Sequence, residues 1–132
     1  MADLMQFDLV SPERRLASVE AKAVQIPGTD GDLTAMPDHA PLVMTLRPGI
    51  LTVEPGSGDP AAYLVTGGFA DISGPATTVL AEQAMPTSEV TQEILDGLIA
   101  DAKAAAERAP DGDAAAAKIV ADFEAIRGAL KG

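Results

Sequence analysis

Asp30, Asp32, Asp38 and His39 fall within a ten-residue stretch and are the residue types that hold metal ions. Their spacing does not meet the Asp-x-Asp-x-Asp-Gly pattern of a calcium loop. His39 is the single histidine and the chain has no cysteine. Sites needing two imidazoles, thiolate-ligated zinc, iron–sulfur clusters and thiol nucleophiles are therefore excluded. The four residues lie among glycines and prolines, so they read as a solvated loop and no metal is expected. Gly56-Ser57-Gly58-Asp59-Pro60-Ala61 imitates a dinucleotide fingerprint. It leads into a strand pattern, however, and Pro60 obstructs the helix start that has to face a pyrophosphate. A hairpin turn is the better reading. Ser11, Ser18, Ser57, Ser73 and Ser88 lie in no nucleophile-elbow motif, and no P-loop occurs. No cofactor and no catalytic set are expected.

Charge points the same way. Twenty acidic residues against nine basic ones leave a formal charge of −11 on 132 residues. Such a surface repels phosphate backbones and anionic lipid, so nucleic acid is not expected as a partner. No run of 18 apolar residues is present, and no membrane insertion is expected. The first residues carry Asp3 and neither a basic nor a long apolar stretch, so no signal or transit peptide is expected.

The elements around these residues change character near Pro86. Residues 1–86 hold nine of the ten prolines and eight of the twelve glycines, whereas residues 87–132 hold thirteen alanines. Proline and glycine punctuate short strands, and an Ala-rich tract favours helix. Met5, Phe7 and Leu9 alternate with Gln6 and Asp8, the period of a half-buried strand. Further runs follow at Val19 to Ile26, Pro41 to Arg47, Ile50 to Val53, Tyr63 to Val65, Phe69 to Ile72 and Thr77 to Ala81. Strands at this spacing predict an all-β antiparallel sandwich or barrel over 1–86. After Thr87-Ser88, either of which can cap, Val90, Ile94, Leu95, Leu98, Ile99 and Ala102 recur at helical spacing. Pro110-Asp111-Gly112-Asp113 interrupts, with Asp111 or Asp113 as the next cap, and Ile119, Phe123, Ile126 and Leu130 form a second stripe. Two helices joined so closely predict an antiparallel hairpin over 87–132. Its Ala-rich faces bury little area per residue, so it is expected to be marginal alone and easily detached from a host surface.

Three segments then converge. Phe7-Asp8-Leu9-Val10-Ser11-Pro12-Glu13 opens the chain. Ile26-Pro27-Gly28-Thr29-Asp30-Gly31-Asp32-Leu33 leads through His39-Ala40-Pro41-Leu42 to Leu46-Arg47-Pro48-Gly49. Gly67-Gly68-Phe69-Ala70 precedes Thr78-Val79-Leu80-Ala81-Glu82. In order and spacing they resemble the epsilon subunit family of the bacterial F-type ATP synthase, over the whole chain.

The resemblance implies a sandwich of about ten strands, followed by a helical hairpin, on the central stalk. It implies a non-catalytic role in coupling proton-driven rotation to ATP synthesis, at the cytoplasmic face of the bacterial inner membrane. The gamma subunit is the implied partner of one sandwich face, and Ser11, His39 and Gly49 match family positions at that interface. Gly31 and Asp32 match the loop facing the membrane rotor ring of c subunits. The family hairpin moves between a folded position and an extended one that meets the alpha and beta subunits and blocks hydrolysis. Residues 87–132 here carry nine acids and five bases, so weak inhibition is expected. Some relatives bind ATP through Ile or Leu, Asp, two variable residues, Arg and Ala. Leu95-Asp96-Gly97-Leu98-Ile99-Ala100 keeps Asp96 but has Ile99 in place of the arginine, so the motif is degenerate and no nucleotide is expected. The competing reading is a freestanding β-sandwich binding module with a helical oligomerisation tail.

Overall fold

The computed structural model describes residues 4–29, 31–37, 40–73, 75–108 and 114–131. The chain divides into two compact units, Met1–Ser88 and Glu89–Gly132.

In the first unit the described residues form nine strands: β1 (Met5–Val10), β2 (Arg15–Ile26), β3 (Leu33–Ala35), β4 (Leu42–Leu46), β5 (Gly49–Pro55), β6 (Ala61–Val65), β7 (Gly68–Ser73), β8 (Ala76–Ala81) and β9 (Ala84–Pro86). They hydrogen-bond in the order β4-β7-β8-β1-β2-β5-β6-β9, with β3 added on β2. The twelve-residue β2 serves both halves of this path. Arg15 to Ala21 pair with β1, Ala21 to Gln25 pair with β5, and the register shifts between Ala21 and Ala23. A bulge of this kind bends and twists a strand, which lets one strand run through both layers. At the far edge the end of β4 returns to the β2–β3 turn, where Gly28 bridges Leu46 and the Thr29 N–H donates to the Thr45 carbonyl.

Alternation along the strands fills the space between the layers. Phe7 and Leu9 of β1, Val24 of β2, Leu51 of β5 and Val79 of β8 are wholly buried in one cluster, beside Ile72 of β7. Each such side chain stabilises the fold by about 1.5–3 kcal/mol relative to an exposed one. The one fully buried hydroxyl among the described residues, on Thr77, donates to Met5 Sδ at 3.4 Å.

A 3₁₀ turn (Thr87–Glu89) spans the boundary, and the second unit holds α1 (Gln92–Arg108) and α2 (Ala114–Lys131), which pack against each other as a hairpin. Leu95 and Ile99 of α1 and Phe123 and Ile126 of α2 are buried.

Several details depart from the sequence expectations. The nine strands of the described residues agree with the expected sandwich of about ten, but three-residue β3 and β9 are too short to show a period. The sheet is mixed, because β1 and β8 run parallel. These strands are joined by no hairpin, so no tight turn dictates their relative direction. Thr87 and Ser88 do not cap α1. Thr91 does, its Oγ1 accepting the Ile94 N–H at 3.1 Å, because the preceding residues coil into the 3₁₀ turn. Ile119 is exposed, so the apolar stripe of α2 is confined to Phe123 and Ile126 among the side chains described. The capping candidates Asp111 and Asp113 lie outside the described residues, as do Asp30, Asp38 and His39.

Candidate interaction surfaces

The inward residues of β7 and β8 are Ala70, Ile72, Thr77, Val79 and Ala81, which leaves Phe69 and Leu80 on the outer face. Both are large and apolar, and they remain 57% and 55% exposed. They sit directly opposite each other across the β7–β8 ladder. The row continues to Val10 on β1 and Thr45 on β4. Val43, two residues before Thr45 and 67% exposed, adds to the same face. Asp71 and Thr78 pair in the adjacent row and supply a polar margin. An exposed apolar patch with a polar margin marks a protein interaction surface. Sequence reasoning quoted Phe69 and Leu80 without assigning them a role. The available signal was an apolar residue at an outward position of each strand.

The backbone here is built tightly. Gly68 has φ +127°, and a Cβ on it would lie 2.0 Å from the Leu80 carbonyl oxygen. Only glycine allows this approach of β7 to β8.

Ser11 borders the same patch. With Val10, Pro12, Phe69 and Leu80 it lines a shallow groove of about 380 Å³. Its hydroxyl is engaged in the β1–β2 turn, where Oγ donates to the Arg14 carbonyl at 3.3 Å and accepts the Arg14 N–H at 3.4 Å. Gly49 lies elsewhere, buried at the start of β5 opposite Val65. A Cβ there would stand 2.7 Å from Pro27 Cβ, so its glycine is explained by close packing. His39, the third residue of that set, lies outside the described residues.

Gly31 and Asp32 form an exposed loop between β2 and β3. Gly31 has φ +125°, and its N–H donates to the Gly28 carbonyl at 3.2 Å. Asp32 is 70% exposed yet ion-paired, with Oδ1 2.5 Å from an Arg47 guanidinium nitrogen. The same nitrogen donates to the Gly28 carbonyl at 2.8 Å. Arg47, within the Leu46-Arg47-Pro48-Gly49 segment, thus joins this loop although sequence spacing gives no sign of it.

Asp96 lies on α1, and its Oδ1 accepts from Gln92 Nε2 at 3.0 Å and from Arg127 of α2 at 3.2 Å. Ile99, standing where the nucleotide motif has arginine, is a buried residue of the hairpin. The guanidinium beside Asp96 therefore comes from the second helix. Among the described residues no three potential metal ligands come together.

The class of protein is thus a β-sandwich with an exposed apolar face, followed by a helical pair. Residues 4–87 match the family model of the ATP synthase Delta/Epsilon chain beta-sandwich domain. An ATP synthase epsilon chain from Jannaschia sp. (strain CCS1) is 59% identical over 129 residues, covering 97% of both chains. That of Rhodobacter capsulatus is 57% identical over 127 residues, covering 96% of both. Among solved structures, a chain in the cryo-EM structure of the Euglena gracilis mitochondrial ATP synthase OSCP/F1/c-ring in rotational state 1 matches with a TM-score of 0.74. It is 25% identical, over 96% of this chain and 81% of that one. The chain belongs to the epsilon-chain family of the F-type ATP synthases, whose members are non-catalytic subunits of that complex.

Proposed function

We propose that this chain is a coupling element of the central stalk, joining the gamma subunit to the membrane rotor ring so that proton-driven rotation reaches the catalytic head. The observation that carries this reading is the outer face of β4, β7, β8 and β1, where Val43, Phe69 and Leu80 stand exposed beside Ser11. This face docks on gamma. The Gly31–Asp32 loop, on the turn between β2 and β3, faces the c subunits, as the family resemblance implies. Residues 1–86 form the gamma- and ring-binding domain, and residues 87–132 form a mobile regulatory hairpin that reaches the alpha and beta subunits. The subunit is peripheral, on the cytoplasmic face of the bacterial inner membrane; no described helix is long and apolar enough to cross one.

Because the chain lacks cysteine, single cysteines carrying a photoreactive group test both contacts in the assembled complex. Glu13→Cys, beside the patch, is expected to cross-link to gamma, and Thr29→Cys to the c ring. Cross-links from Glu13→Cys to any subunit other than gamma refute the docking face.

A further inference from the structure

Arg47 does more than neutralise a neighbour. Two backbone bonds already tie the β2–β3 turn to the end of β4, and a third closes the turn on itself. The Arg47 N–H donates to the Pro27 carbonyl at 3.1 Å, the Thr29 N–H to Thr45 at 3.0 Å, and the Gly31 N–H closes the turn on Gly28. The Arg47 side chain then reaches over this turn and grips it at two points, the Gly28 carbonyl and the Asp32 carboxylate. A guanidinium suits this because its donors are fixed in one plane and its charge is permanent. The side chain is only 25% exposed, against 70% for Asp32, so the anchor is the sheltered partner and the anchored group faces solvent. A surface ion pair alone contributes little. A pair whose cation also holds a backbone carbonyl restricts the orientation of the exposed group.

We infer that Arg47 is a positioning residue for the Gly31–Asp32 loop, presenting to the rotor ring an ordered turn whose one described carboxylate is already charge-compensated. The inference rests on the reading of that loop as the ring contact. It assigns the partner surface a preference for a pre-formed turn with Asp32 held by Arg47 over one with a free Asp32 carboxylate.

The test uses the full chain and the assembled complex, with Arg47→Gln, Arg47→Lys, Asp32→Asn and the Arg47→Gln/Asp32→Asn double variant. In Arg47→Gln, amide exchange at Thr29 and Gly31 is expected to accelerate at least tenfold while the thermal midpoint falls by only a few degrees. Retention of the c ring on detergent-purified complexes is expected to fall several-fold. Arg47→Lys, which keeps the charge but not the planar guanidinium, falls between it and the wild type. The double variant is no worse than Arg47→Gln alone, because the two side chains act through each other. Unchanged exchange in Arg47→Gln overturns the inference. Additive losses in the double variant also overturn it, since a merely structural arginine would act independently of Asp32. The Thr29→Cys cross-link separates the two levels. A ring cross-link with unchanged ring retention in Arg47→Gln defeats the positioning role alone. Absence of the ring cross-link defeats the underlying reading.

Discussion

Replacing Phe69 with threonine isolates the contribution of the outer face from that of the core. Phe69 is 57% exposed and stands between Leu80 of β8 and Thr45 of β4 in the sheet. A cross-strand pair of this kind contributes about 0.2–1 kcal/mol. Threonine, like phenylalanine, favours strands, so propensity is retained. The folded chain should lose less than about 1 kcal/mol, a fall in thermal midpoint of at most ~8 °C for a domain this size. Binding should suffer more. An aromatic side chain offers about 150–250 Å² in all, so roughly 110 Å² of Phe69 remains to be covered by a partner. At about 25 cal/mol per Å² that area represents about 3 kcal/mol. Ordering and desolvation losses on association reduce what is realised, to about 1–3 kcal/mol. An affinity loss of about fivefold to a hundredfold follows, since each decade in Kd is about 1.4 kcal/mol. Titration of the purified chain into gamma-containing F1 depleted of this subunit measures it, with circular dichroism melting as the control for folding. Ile72→Ala, buried three residues along the same strand, should show the opposite profile, with a large loss of stability and little loss of affinity per folded molecule. Binding of Phe69→Thr within threefold of wild type would refute the docking face.

The remaining expectations concern the backbone, the hairpin and its charge. Gly68→Ala places a Cβ against the Leu80 carbonyl at a positive φ, so it should destabilise the sandwich by about 2–3 kcal/mol, read as a drop in thermal midpoint; a change under 3 °C would show that β7 and β8 can separate freely. Asp96→Asn removes an exposed ion pair and should weaken the hairpin by no more than about 1 kcal/mol. Calorimetry should detect no specific ATP binding by the unmodified chain at millimolar concentration, and ATP-induced amide shifts at Asp96 would contradict this. Deleting residues 87–132 leaves the β6–β9 pairing intact, so the remainder should fold and bind gamma. With nine acids and five bases in the deleted segment, ATP hydrolysis should rise less than tenfold, on the order of 1.4 kcal/mol; a larger rise would show a strong brake.

Short-range patterns were readable in advance because alternation and helical spacing are properties of neighbouring residues. Met5, Phe7 and Leu9 are buried and Gln6 is exposed, as a period of two requires. The glycine–proline run after β5 forms its turn, with Gly58 at φ +92°. Where two short signals competed, the nearer one misled. Thr87 and Ser88 are good caps in isolation, yet Thr91 holds the position because a 3₁₀ turn intervenes. The parallel β1–β8 ladder had no local signature at all, since its register joins Gln6 to Ala76 across the whole unit.

The same distinction governs the interaction surfaces. Asp32 reads from the sequence as part of a loop cluster and of the ring-facing loop, and Asp96 as the retained acid of a degenerate nucleotide motif; each meets an arginine that sequence spacing does not reveal. Arg47 comes from β4's far end and Arg127 from the second helix. In both places an exposed carboxylate is held by a cation on another element, which changes what the acid can do. Asp96 is occupied as half of a clasp between two thin helices, so replacing the motif arginine with Ile99 leaves a buried apolar contact where a ligand would need a charge. Asp32 is oriented by a residue anchored in the sheet, so the exposed turn inherits the rigidity of the sandwich beneath it. On the proposed reading of this turn as the ring contact, a subunit that transmits torque needs that property there, and neither catalytic groups nor a deep cleft would add to it.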